Sequence, residues 1–156
     1  MTQFFIENSE IISRLAIAVL LGMVIGGERL FVHKEAGMKT HSLVAMGAAV
    51  FVLVSEAMVK KYIDLPGLNP TMIPAQIIVG IGFIGAGMII FHNSHTRGLT
   101  TASGLWVTAG IGMASGFGLY ALAIISTVLT LFIFIAMIII EKPIRKISND
   151  PEQLKN

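Results

Sequence analysis

Apolar residues come in five long runs, separated by short polar or Pro/Gly-rich stretches. The runs cover Ile11 to Leu30, Thr40 to Val59, Met72 to Phe91, Leu99 to Ser115 and Leu119 to Ile140. A helix crossing the hydrocarbon core needs about 20 mainly apolar residues, so each run predicts a transmembrane α-helix. The breaks are chemically distinct. His33-Lys-Glu-Ala-Gly-Met-Lys39 is charged, and Asp64-Leu-Pro-Gly-Leu-Asn-Pro70 carries prolines that stop a helix. His92-Asn-Ser-His-Thr-Arg-Gly98 is a polar loop, and Gly116-Phe-Gly118 is a tight turn. The expected fold is all-α, a polytopic transmembrane bundle of about five spans. It occupies residues 1–141 and is followed by a short cytoplasmic tail, 142–156.

Composition supports this reading. The chain is 54% hydrophobic and 13% charged, against roughly 25% charged for a soluble domain. Too few polar side chains remain to cover a surface in water. The net charge of +2 comes from basic residues in short loops, which act as topology signals and not as a nucleic-acid face. One side collects Arg29, Lys34, Lys39, Arg97, Lys142, Arg145, Lys146 and Lys155, eight in all; the other holds only Lys60 and Lys61. Short basic loops stay in the cytoplasm, so the N-terminus is expected outside and the C-terminus inside. There are no cysteines, which excludes disulfides and thiolate metal sites. The first ten residues carry two acids and no basic region, unlike a cleaved signal peptide.

The stretch from Gly80 to Gly118 holds ten of the sixteen glycines. In span four, Thr100, Gly104, Thr108, Gly112 and Gly116 recur every fourth residue and form one small-residue stripe. Gly22 and Gly26 repeat that spacing in span one, while Gly80, Gly82, Gly85 and Gly87 crowd span three. Small residues let helix backbones approach closely in lipid, where packing drives association. Spans one, three and four are therefore the expected tight core, with Trp106 packed against its glycine-rich neighbour. The Ile/Leu/Phe-rich last span is expected to face lipid.

Ionisable groups inside spans are costly, and each is a functional candidate for that reason. Towards the outer side, Arg14 and Glu56 form a candidate pair with Gln76 as hydrogen-bond partner; snorkelling to the headgroups is the plainer alternative. Towards the cytoplasmic side lie Glu28, Arg29, Lys39, His41, Arg97, Thr100 and Thr101. Glu28 ends an apolar helix, where desolvation and the helix dipole both disfavour a lone carboxylate. It should have a cationic partner, and Arg97 or Lys39 sits at the right depth. A structural ion pair locking the loops is the competing role. His92 and His95 read as solvated loop residues sooner than as metal ligands. Gly80-Ile-Gly-Phe-Ile-Gly85 matches a dinucleotide fingerprint in letters only, because it opens no βαβ unit. No enzyme signature is present.

Several segments together resemble the MgtC/SapB family of bacterial inner-membrane proteins. They are Gly26-Gly-Glu-Arg29, Ala36-Gly-Met-Lys-Thr-His-Ser-Leu-Val44, Ala75-Gln-Ile-Ile-Val-Gly-Ile-Gly-Phe-Ile-Gly-Ala-Gly87, Arg97-Gly-Leu-Thr-Thr-Ala102 and Leu105-Trp-Val-Thr-Ala-Gly-Ile-Gly112. The resemblance implies a five-helix membrane domain in the bacterial cytoplasmic membrane. It also implies a role in growth under low magnesium, under the label of magnesium transporter. The family commonly places an acid and an arginine just before the Ala-Gln motif, where this chain has Asn69 and Met72. Many members carry a soluble, sensor-type C-terminal domain; here only 16 residues follow Ile140, so regulation through such a domain is not expected.

Two mechanisms follow, and these residues leave both open. In the first, a non-transporting regulator acts on another membrane protein, or as a homo-oligomer, through glycine-rich faces. In the second, Glu28, Gln76 and backbone carbonyls line an ion path between spans one, three and four. Mg²⁺ keeps several waters and needs only one or two carboxylates, with Glu28 as the candidate metal ligand. No other cofactor and no nucleic-acid partner is expected. The mid-span residues, mostly Gly, Ala, Thr and Ile, favour regulation.

Overall fold

The computed structural model describes residues 2–62, 69, 71–92 and 95–147. These form six helices and one small hairpin: α1 (Thr2–Glu7), α2 (Ser9–Phe31), α3 (Met38–Lys61), α4 (Met72–Met88), β1 (Ile90–His92), β2 (His95–Arg97), α5 (Leu99–Gly116) and α6 (Tyr120–Ile147). The chain is an all-α membrane bundle. α2, α3 and the Tyr120–Ile140 part of α6 are long and apolar enough to cross a bilayer, and α4 is a shorter apolar helix. α5 matches a span in length, with 18 residues, but its glycines, serine and threonines dilute its hydropathy.

The bundle carries its bulk outside and its small residues inside. Leu129, Phe132, Ile133 and Ile135 of α6 are exposed, as are Leu20 and Val24 of α2. Ala18, Ala45, Ala48, Ala49, Ala109 and Ala123 are buried. In water such a surface would aggregate; in lipid it is the expected one, because interfaces there are made of small residues.

α3 lies at the centre, between α2 and α5. A Cβ built on Gly22 would stand 2.6 Å from the His41 carbonyl oxygen, and one on Gly26 would stand 2.5 Å from Met38 Cα. On the other flank, a Cβ on Gly112 would run into the Ala45 carbonyl, and one on Gly116 would lie 2.9 Å from Ala49 Cα. The tight core is thus α2, α3 and α5, spans one, two and four, and not one, three and four as glycine counting suggests. The reason is that α3 meets α5 with Ala45 and Ala49 and meets α2 with its own backbone at Met38 and His41. Gly80, Gly82 and Gly87 of α4 meet nothing within 4 Å, and Gly85 makes only an ordinary contact with Ala102.

Two further expectations change. The third apolar run ends as helix at Met88, and Ile90 to His92 pair instead as a strand with His95 to Arg97. Gly98 makes this possible: its φ of 86° is left-handed, and a Cβ there would collide with the Met88 carbonyl oxygen. The helix α6 also runs past Glu141 to Ile147, so no helix end marks the boundary placed between membrane domain and tail. The expected turn at Asp64–Pro70, apart from Asn69, and the tail from 148 onward lie outside the described residues.

Candidate functional site

Two polar clusters lie at opposite ends of α2, named here by the hairpin and by Arg14. At the hairpin end, the last turn of α2 carries Glu28 and Arg29. Arg29 donates from Nε to Glu28 Oε2 at 2.5 Å and from Nη2 to Oε1 at 2.8 Å. The side chains are only 3% and 11% exposed respectively, so the pair is mostly withdrawn from solvent. The guanidinium also sits 3.8 Å above the centre of the Phe134 ring of α6, a cation–π contact. Glu28 is therefore matched by its sequence neighbour, which corrects the expected partners Arg97 and Lys39. Adjacent helical residues normally diverge. At a helix end, with α6 covering one side, both long side chains fold into the same recess. Lys39, Thr100 and Arg97 are exposed, whereas Thr101 is buried.

One layer further in, His41 is fully buried. Its Nδ1 lies 2.8 Å from Thr108 Oγ1, and Thr108 Oγ1 donates to the Gly104 carbonyl at 2.8 Å. Gly104 is the floor beneath two rings: a Cβ there would sit 3.0 Å from Phe134 and 3.6 Å from the His41 imidazole. Thr108 escaped notice as a polar partner because it reads as one more small residue in the α5 stripe. Its hydroxyl was the available signal.

At the opposite end, Arg14 donates to Glu56 Oε2 at 2.8 Å, to the Gly116 carbonyl at 2.8 Å and to Glu10 Oε1 at 2.5 Å. This ties α2 to α3 and α5. Gln76 takes no part; it is exposed on α4, which packs mainly along α5. Trp106, expected to be packed, is 54% exposed and borders a groove with Ile81, Gly82 and Gly85 of α4.

Between the clusters the interior is mostly apolar, with buried hydroxyls at Ser115, Thr127 and Thr130. Ile25, Ala45, Ala49, Leu105 and Ile111 fill it, and the Ser115 hydroxyl is returned to the Ile111 carbonyl at 2.9 Å. Among the described residues no three His, Asp or Glu side chains gather as a metal site. Glu28 can give an oxygen to a hydrated cation only by leaving Arg29. His92 and His95 are register partners in the hairpin ladder.

A family model matches residues 15–142, and its description is the MgtC family. This chain belongs to that family. Its matched segment contains Glu28, Arg29, His41 and Thr108 and, of the other cluster, Glu56 and Gly116 but not Glu10 or Arg14. A relative from Escherichia coli K12, the putative magnesium transporter YhiD, is 45% identical over 128 residues, covering 81% of this chain and 60% of its own length. Protein MgtC of Brucella abortus is 46% identical over 114 residues, 73% of this chain and 45% of its own. Protein MgtC of Salmonella typhimurium is 45% identical over 120 residues, covering 77% of this chain and 49% of its own. The chain thus spans roughly half the length of these MgtC relatives. No solved structure matches it.

Proposed function

We propose that this protein serves bacterial adaptation to low magnesium from the cytoplasmic membrane, and that it acts by docking against another membrane protein through α4. The observation that carries this is the unexplained face of α4. Glycine costs a helix about 1 kcal/mol per residue relative to alanine. On α2 and α5 close approach to α3 offsets that cost, but a Cβ on Gly80, Gly82 or Gly87 would meet nothing within 4 Å among the described residues. Gln76, Gly80, Phe83 and Gly87 fall on one side of the helix, with Phe83 84% exposed between two glycines. Such a surface fits a neighbouring helix better than it fits lipid. A photo-crosslinker at Phe83 is expected to capture a second membrane protein in cells starved of magnesium. Capture of lipid alone would sink the docking reading, and capture of a second copy would turn it into a homo-oligomer.

In this reading the bundle has five spans, α2 to α6, with the hairpin end in the cytoplasm, as the eight-to-two basic bias favours. A second reading, ion transport, draws on the printed name of the Escherichia coli relative. Against it stands the mostly apolar layer between the two clusters, where the hydroxyls of Thr108, Ser115, Thr127 and Thr130 are each turned back onto a carbonyl of their own helix. Magnesium flux into liposomes holding the purified protein, above that of empty liposomes, would favour transport.

A further inference from the structure

Among the described residues only one that is not glycine has a left-handed backbone: His33, at φ 57°, in the turn that leaves α2. Three backbone bonds set that conformation. The Val32 amide donates to the Glu28 carbonyl at 3.1 Å, His33 to Leu30 at 3.1 Å and Lys34 back to Arg29 at 2.9 Å. This is a helix-closing pattern usually completed by glycine, which takes a positive φ without a Cβ clash. A histidine therefore weakens the turn it closes. Packing does not account for it, since its imidazole is exposed and no hydrogen bond or ion pair ties it to the other described residues.

The depth of the turn gives that side chain a setting. α2 has 23 residues and is about 34 Å long, slightly more than the hydrocarbon core of about 30 Å. Its last residues reach the boundary on the hairpin side, and the turn lies among headgroups. Leu30 and Phe31, 53% and 84% exposed, suit the chain side of that boundary. His33 and Lys34 follow, both exposed, and Lys39 is exposed on the first turn of α3, from where a lysine stem reaches the headgroup layer. Glu35 is the one exposed acid in the turn, while Glu28 is held by Arg29. Two lysines and an imidazole thus stand against one free carboxylate, directly above exposed apolar side chains. An anionic lipid surface complements both layers; a soluble acidic partner would leave Leu30 and Phe31 in water.

We propose that the α2–α3 turn is a binding site for anionic phospholipid headgroups, with His33 as the residue that holds the phosphate. An imidazole keeps an N–H donor whether or not it is charged, so it serves a phosphate oxygen at neutral pH. Lys34 and Lys39 add charge that draws the turn to a negative membrane surface. Leu30 and Phe31 fix the depth at which headgroups pass. The turn leads into the contact of Gly26 with Met38, so a lipid held here braces a close approach of α2 and α3. The site is separate from the α4 face. Its assignment to the cytoplasmic leaflet rests on the proposed topology, but discs with anionic lipid in both leaflets test the site without it.

The test is the thermal unfolding midpoint of the full chain in nanodiscs of phosphatidylcholine, alone or mixed with phosphatidylglycerol. Wild type should melt several degrees higher when phosphatidylglycerol is present. His33→Gly should melt no lower than wild type in phosphatidylcholine, because glycine relieves the turn, while its gain from phosphatidylglycerol falls to about half or less. Lys34→Gln should lose part of the gain, and a Lys60→Gln, Lys61→Gln double variant, at the other end of α3, should keep it. Inorganic phosphate added to phosphatidylcholine discs should not reproduce the gain. No gain in wild type, or an equal gain in His33→Gly, overturns the proposal. So does a His33→Gly protein that melts lower in phosphatidylcholine, which makes the histidine a structural part of the turn. A gain lost only in the Lys60 and Lys61 variant, or matched by inorganic phosphate, overturns it as well.

Discussion

At the residue scale the bundle depends on how Arg29 is kept. A guanidinium this deep is tolerable only with its charge matched and its planar fork used, and Glu28 meets both needs bidentately while Phe134 covers the face. Removing one member of a buried pair costs up to about 3–5 kcal/mol, since the other charge stays behind. Glu28→Gln should therefore lower the thermal stability of the purified protein and abolish support of growth at low magnesium. Growth of a strain lacking its own family member, scored beside the protein level in membranes, checks this. Normal growth with normal protein would end the functional claim for Glu28. Arg29→Lys keeps the charge but loses the fork, and should fall between wild type and Glu28→Gln in the same melting assay.

At the element scale, glycines of similar appearance have opposite meanings. Gly112 sits where the backbones of α5 and α3 meet, so even Gly112→Ala must push the helices apart, at about 1–3 kcal/mol or more. Gly112→Leu should prevent accumulation of folded protein. Ile138→Ala, on the lipid-facing helix α6, should be tolerated, and so should Gly80→Ala, because open space surrounds Gly80. Fluorescence-detected size-exclusion chromatography of the four variants in detergent separates them. Equal profiles for Gly112→Leu and Ile138→Ala would count against the α3–α5 contact. Gly98 makes a third case, in which the left-handed backbone and the Met88 carbonyl both exclude a side chain. Gly98→Ala should open the hairpin and speed proteolysis there, visible as new fragments after brief trypsin treatment at Arg97.

On the scale of the whole molecule, arginine and carboxylate hold each end of α2, and the two clusters are separated by close backbone packing. Such an object is closely packed across α2, α3 and α5 and exposed along α4. Its orientation is checked by single cysteines at Gln3 and Asn156, which should be labelled from opposite sides of intact cells, Gln3 from outside. Labelling of both from one side would break the five-span topology.

Much of this was already decided by the order of residues along the chain. Long apolar runs must become helices in lipid, because no other open structure satisfies its own backbone there, and three of the five run boundaries needed little correction. Burying Arg14 and Glu56 at similar depth made their pairing foreseeable, since helix rise alone brings them level. The segments that mark the family are also legible as letters. Tertiary structure decided which small residues touch. A glycine records the possibility of close approach, whereas the approach itself requires a complementary surface, and that surface turned out to be α3, with Ala45 and Ala49 towards α5 and backbone at Met38 and His41 towards α2. It also decided that Glu28 would take Arg29, because the recess between α2 and α6 exists only after packing.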